Sequence, residues 1–242
     1  MDPRPLLYLC VRPQRGAADA EYASFRVAMG LDETRLGAWD LVADPLPADA
    51  VERYAGFVVG GSPFNVTTPA KDAPQQRLEA DLADLADAAA SGRTRAMFTC
   101  YGIGVVTRRF GGTVAQDYPE GTGATTVTLT DAGRDDPVFG ALPERFEAFT
   151  AHKESTARLP EGAVLLATNA DCPVQAYRLG ERLYTTQFHP EVTPQDFTDR
   201  MTFYRDGGYF APSEFDAVAA RVLAAPVTEP ARILRAFAAF EA

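Results

Sequence analysis

An α/β fold with a largely parallel central sheet is predicted by two observations on the first half of the chain. Short apolar runs alternate with amphipathic helical stretches, a spacing that implies crossover connections and parallel strands. Two of those runs end in turn chemistry, at Gly60-Gly61-Ser62-Pro63 and at Cys100-Tyr101-Gly102. A chain of 242 residues buries enough surface to fold without covalent staples.

The elements follow in order. Residues 6–11 form a short apolar run, long enough for a buried strand. Residues 18–29 place Tyr22, Phe25 and Met29 at helical spacing, and Gly30 stands where a helix stop belongs. Runs 36–42 and 56–59 read as the second and third strands. Residues 74–91 give the clearest helix: Leu78, Leu82, Leu85 and Ala89 share one face, acids fill the other, and Gly92 ends it. Residues 95–99 form a fourth strand that runs into Cys100.

After Gly111-Gly112 the pattern turns β-rich. Runs 124–130, 145–151, 164–168, 174–179 and 183–188 are short and close together, with a hairpin turn at Leu179-Gly180-Glu181-Arg182. They continue the same sheet or form a second layer. Helices are expected at 194–204, 213–224 and 229–240, the second capped by Ser213. With no repeat or linker, one domain over 1–242 is expected, its core at 6–206 and a C-terminal helical extension at 207–242.

The net charge of −10 argues against nucleic acid, whose phosphates require a basic face. Three cysteines are too few, and odd in number, for a secreted disulfide framework. The start of the chain has no signal-peptide core and no run approaches a membrane span. A cytoplasmic setting is the simplest expectation.

Cys100 sits where a strand meets a Tyr-Gly turn and a following helix. Such an elbow lifts the side chain out of the sheet, and the helix aims N–H groups and its positive end at the sulfur. Cys10, within a strand, and Cys172, before Pro173, read as structural. The chain holds two histidines, His152 and His189, so a general base has two candidates. His189 ends an extended run, and Glu191 two residues on can accept its second N–H and fix the tautomer. No histidine is spaced with a cysteine as a metal ligand set, and neither metal nor cofactor is expected. Strand C-termini gather at one edge of such a sheet. A glycine of the Gly60-Gly61-Ser62 turn can there offer an amide to an oxyanion, with the Tyr101 amide as second donor.

Together these residues resemble the class I glutamine amidotransferases, and within them the glutaminase of GMP synthase. Cys100-Tyr101-Gly102 is similar to the family's nucleophile turn, Phe188-His189-Pro190-Glu191 to its closing signature, and Val58-Val59-Gly60-Gly61-Ser62-Pro63 to its oxyanion strand. Phe110-Gly111-Gly112-Thr113-Val114 and Cys172-Pro173-Val174-Gln175-Ala176 match further family segments, so the resemblance spans about 6–193. It implies a three-layer, flavodoxin-like sandwich and a Cys100–His189–Glu191 triad, with Gly61 and Tyr101 as oxyanion donors. It also implies a γ-glutamyl substrate held near Gly60, Ser62, Gly104 and His152, and a separate synthetase as ammonia acceptor. Two positions depart from the pattern: Phe98 stands where the family has glycine, and Gly104 where it has the glutamine that helps hold substrate. Two alternatives remain open at this level: a γ-glutamyl peptidase or hydrolase with water as acceptor, and a non-catalytic regulatory module.

Overall fold

The computed structural model describes residues 4–240. Strand β1 (Leu6–Cys10) leads into helix α1 (Arg15–Met29), which Gly30 ends in the left-handed conformation, φ 68°. Then come β2 (Leu36–Asp40), the short α2 (Ala50–Arg53) and β3 (Gly56–Val59). Helix α3 (Ala73–Ala90) is capped by the Asp72 carboxylate, which accepts the Gln75 N–H at 2.8 Å. Strand β4 (Ala96–Thr99) passes through Cys100 into α4 (Tyr101–Arg109).

The β-rich section comprises β5 (Thr113–Ala115), β6 (Glu120–Leu129), a single helical turn α5 (Asp131–Arg134), β7 (Arg145–His152), β8 (Ser155–Arg158), β9 (Val164–Thr168), β10 (Ala176–Leu179) and β11 (Leu183–Thr186). Helices α6 (Pro194–Met201), α7 (Phe215–Leu223) and α8 (Ala231–Ala239) complete the described chain. None of its helices is long and apolar enough to cross a membrane.

Among the described residues nine strands form one sheet, in the order β2-β1-β3-β4-β11-β10-β9-β6-β7. The first five pair in parallel and the rest antiparallel, so only β10 and β6 run against the others. The β-rich section therefore continues the main sheet. It also spares β5 and β8 for a separate two-stranded ribbon, too short to be seen in the sequence pattern.

Alternation along the strands builds three layers. Leu6, Tyr8 and Cys10 of β1 pack with Phe25 and Met29 of α1 on one face. Leu7 and Leu9 pack on the other with Leu78, Leu82 and Leu85 of α3. Helix α8 adds Ile233, Leu234 and Phe237, all fully buried, to the first face. Helix α8, within the stretch expected as an extension, thus supplies part of the core through its apolar stripe.

Three local expectations are corrected. Cys10 ends its strand instead of sitting within it. Ser213 does not cap α7: it lies in a 3-10 turn begun by Pro212, and Glu214 precedes the helix without a side-chain cap bond. His189 lies beyond β11, held by an isolated bridge to Phe149 of β7.

Candidate functional site

Strand register brings the distant segments together. Val59 of β3 pairs with Phe98 of β4, and Thr99 of β4 pairs in parallel with Thr186 of β11. Gly60, Cys100 and Gln187 therefore leave the same edge of the sheet at adjacent strands, the edge where α/β proteins bind ligands. The Cys100 N–H donates to the Thr186 carbonyl at 2.7 Å, and the His189 N–H to Phe149 at 2.9 Å.

Cys100 is the only non-glycine residue of positive φ among those described, at φ 51° and ψ −103°. A β-carbon-bearing residue is strained there, and such strain collects at functional sites. Gly102 makes the elbow compatible with Phe98: a β-carbon on Gly102 would lie 2.9 Å from that of Phe98. Tyr101 opens α4, so its N–H has no intrahelical carbonyl to bond and remains a donor toward the site. Its hydroxyl donates to Glu79 at 2.6 Å, which anchors the elbow to α3.

His189 and Glu191 are buried, at 4% and 2% exposure. The His189 Nδ1–H donates to Glu191 Oε1 at 2.9 Å, which leaves Nε2 for the thiol. Burial disfavours the imidazolium, but the Glu191 carboxylate and the Cys100 sulfur outweigh it and raise the His189 pKa to about 9. Burial likewise opposes the Glu191 charge, yet His189 and Arg200 hold its carboxyl well below the ordinary range. By contrast, burial pushes the Cys10 thiol up to about 11 and the Cys172 thiol up to about 12, which suits inert packing.

His152 is arranged differently. One ring nitrogen meets the Glu120 carboxylate at 2.8 Å and the other the Glu154 carbonyl at 3.1 Å. Both ring nitrogens are thus directed at these two partners, and neither is directed at the thiol. Of the two histidines, His189 has the arrangement of a base. His152 lines the cleft beside Cys100 together with Ser62, Gly104 and Tyr101, while Gly60 is not among the lining residues.

The Gly60-Gly61-Ser62 turn is held from behind by Glu21. The Gly61 N–H donates to Glu21 Oε1 at 3.2 Å, so in this conformation it is committed away from the thiol. The amide of Ser62 meets no acceptor among the described residues, and Ser62 lines the cleft on both sides of Cys100. Of the two turn amides, that of Gly61 is bonded and that of Ser62 is not. The Ser62 hydroxyl is occupied locally, donating to the Val11 carbonyl at 2.6 Å. Gly104 has a neighbour where the family's glutamine would start: a β-carbon there would meet Val66 Cγ2 at 3.1 Å. Glu154 pins that segment by accepting the Val66 N–H at 2.6 Å and the Thr67 N–H at 3.0 Å.

Sequence reasoning missed several groups. Glu21, Arg12 and Arg200 form a buried ionic cluster behind His189 and Glu191. Tyr204, Tyr209 and Phe210, beyond α6, line the cleft with Cys100 and His189. Burial and then the nearby Cys100 sulfur push the Tyr209 hydroxyl up to about 12. Charged and aromatic residues on helices and loops read as solvated or core positions, so no local signal marks them.

A thiol on a strained strand-to-helix elbow, beside an imidazole and a carboxylate that follow the neighbouring parallel strand, defines a class of α/β proteins built around a strand-to-helix turn. The pattern of the Glutamine amidotransferase class-I family matches residues 45–205, and the chain belongs to that family. It is 29% identical over 147 residues to a GMP synthase [glutamine-hydrolyzing] of Borrelia garinii subsp. bavariensis, covering 61% of this chain and 25% of that protein. Against a GMP synthase [glutamine-hydrolyzing] of Thermotoga petrophila it is 34% identical over 102 residues, covering 42% and 19%. The chain thus matches at most about a quarter of the length of these relatives. The fold is similar to that of a glutamine amidotransferase from Thermotoga maritima, with a TM-score of 0.71, 17% identity and coverage of 97% and 96%.

Proposed function

We propose that the chain hydrolyses a γ-glutamyl amide, with glutamine as the reference substrate, through Cys100, His189 and Glu191. The observation that carries this reading is the elbow thiol beside a buried His189–Glu191 pair at one strand edge. The Cys100 sulfur attacks the amide carbon, and the carbonyl oxygen takes negative charge facing the Tyr101 and Ser62 amides. His189 gives its proton to the departing nitrogen as the C–N bond breaks, leaving a glutamyl thioester and free ammonia or amine. Water, deprotonated by His189, then attacks the thioester, and glutamate leaves as the thiol is restored. The glutamine-hydrolysing relatives support this chemistry and make a separate synthetase the natural ammonia acceptor.

Gly104, packed against Val66, favours a second reading in which the donor is a γ-glutamyl peptide or amine and water is the only acceptor. Glutamate release from glutamine and from a panel of γ-glutamyl peptides and amines tests both. A kcat/KM for glutamine above the panel supports the first reading; one at least tenfold lower than the best panel member supports the second. Release from none of them overturns both.

The raised His189 pKa has two consequences at alkaline pH. Folded His189 holds its proton more tightly than the ordinary value of 6.5, so its stabilising contribution is complete below 6.5 and is lost as pH rises through about 9. Turnover should fall over the same upper range, because His189 then has no proton for the leaving nitrogen. Alkylation of Cys100 by iodoacetamide, which needs only thiolate, should persist. Turnover and alkylation falling together above pH 9 would show that unfolding, and not His189 titration, sets the limb.

A further inference from the structure

We propose that Glu21, on α1, is a positioning residue for both halves of the site: it sets His189–Glu191 through Arg200 and holds the oxyanion turn through the Gly61 amide. The inference rests on the triad chemistry proposed above. Glu21 is fully buried. Its Oε1 accepts from Arg12 Nη2 at 2.7 Å, Arg200 Nη1 at 3.2 Å and the Gly61 N–H at 3.2 Å, and its Oε2 accepts from the Tyr8 hydroxyl at 2.8 Å. Arg200 Nη1 also donates to Glu191 Oε1 at 2.6 Å. One guanidinium nitrogen is thus shared by Glu21 and the carboxylate that orients His189, so neither carboxylate moves alone.

Stability is a weak reason for such a cluster. Buried ion pairs can often be replaced by apolar side chains without loss, because desolvation offsets their attraction. The surroundings are shaped to admit this one: a β-carbon on Gly60 would lie 2.1 Å from Glu21 Oε2, so glycine is required for the carboxylate to reach the turn. With Gly61 held by Glu21, the adjoining Ser62 lines the cleft beside Cys100 and its amide has no acceptor among the described residues.

The charges also balance around the reacting pair. Glu21, His189 and Glu191 bring ligand atoms within 4.8 Å of one another. Arg12 and Arg200 pair with the two carboxylates, and the Glu191 carboxylate and the Cys100 sulfur both favour a protonated His189. The other ionisable groups facing the cluster are Tyr8, bonded to Glu21, Cys10, beside Tyr8 and Glu21, Tyr204, bonded to Arg12, and Tyr209, near Cys100. Removing the Glu21 charge leaves two guanidiniums against Glu191 and disfavours the imidazolium.

Glu21→Gln keeps the shape and removes the charge. The expected result is a kcat about ten- to a hundredfold lower with KM within about threefold, as for misplaced catalytic groups. The alkaline limb should move down by about one pH unit. The pH profile of Cys100 alkylation, which needs no substrate, should change in parallel. Arg200→Lys keeps the charge but cannot serve both carboxylates equally; it should lower kcat with the limb nearly unmoved. A folded Glu21→Gln protein with wild-type kcat, limb and alkylation profile, altered only in Tm, would make Glu21 merely structural and overturn the proposal. If Glu21→Gln does not fold, Arg200→Lys decides, and wild-type kcat in that variant overturns it. Should wild type release no glutamate at all, the triad reading fails on its own, while the alkylation profiles still report whether Glu21 acts on the thiol.

Discussion

Cys100→Ser is expected to bring glutamate release down to background while leaving the far-UV circular dichroism and Tm close to wild type. The substitution exchanges a sulfur atom for a smaller oxygen at a residue 8% exposed, so little packing is lost. The chemistry changes far more. A serine hydroxyl is a much weaker acid than a thiol, and the proposed mechanism needs a sulfur nucleophile between the start of α4 and His189. The strained backbone at Cys100 persists in the variant, since it is imposed by β4 and α4 and not by the side chain. Wild-type-like hydrolysis by Cys100→Ser would overturn the nucleophile assignment and bring forward the binding-module reading. In wild type, iodoacetamide should label Cys100 well before Cys10 or Cys172, whose thiols burial keeps protonated.

Glu191→Gln is the second large effect, and it touches stability as well as rate. Neutral glutamine no longer stabilises the imidazolium, and its amide can hold His189 in the wrong tautomer. Loss of the third member of comparable triads lowers kcat by roughly 10⁴-fold. Activity should nonetheless stay above that of Cys100→Ser, because thiol and imidazole both remain. The same substitution leaves Arg200 with Glu21 as its one remaining carboxylate, itself shared with Arg12. Breaking a buried pair from one side typically costs about 3–5 kcal/mol, and the remaining carboxylate should hold the loss to the lower part of that range. Urea unfolding of both variants checks this: Glu191→Gln should shift the midpoint down and Cys100→Ser should not. An unshifted midpoint in Glu191→Gln would mean that Arg200 finds full compensation elsewhere.

Much of the architecture was legible because it is local. The face of α3 carrying Leu78, Leu82, Leu85 and Ala89 is buried as its 3.6-residue period requires. Gly30 and Gly92 stop their helices in the positive-φ region that glycine occupies without strain. The nucleophile turn could be placed because a cysteine between an apolar run and Tyr-Gly has few conformations open to it. The short ribbon of β5 and β8 was not visible, since three or four residues carry too little periodicity. Ser213 failed as a cap because Pro212 had already committed the backbone to a helical turn.

The sequence by itself determined the alternation of strand and helix, the elbow at Cys100 and the pairing of His189 with Glu191, all of which rest on neighbours a few residues apart. Tertiary structure decided that β11 lies beside β4, which brings Thr186 level with Thr99 and so places residues 187–191 beside the thiol. It surrounded His152 with two acceptors and gave His189 a carboxylate partner on one side and the Cys100 sulfur on the other. It turned Gly61 toward Glu21, and it joined Glu21 to Arg200 across 179 positions of sequence. The reason is physical: hydrophobic period and turn chemistry act over one or two turns of chain, whereas a buried charge is defined by its partners, and only the folded sheet edge brings those partners together.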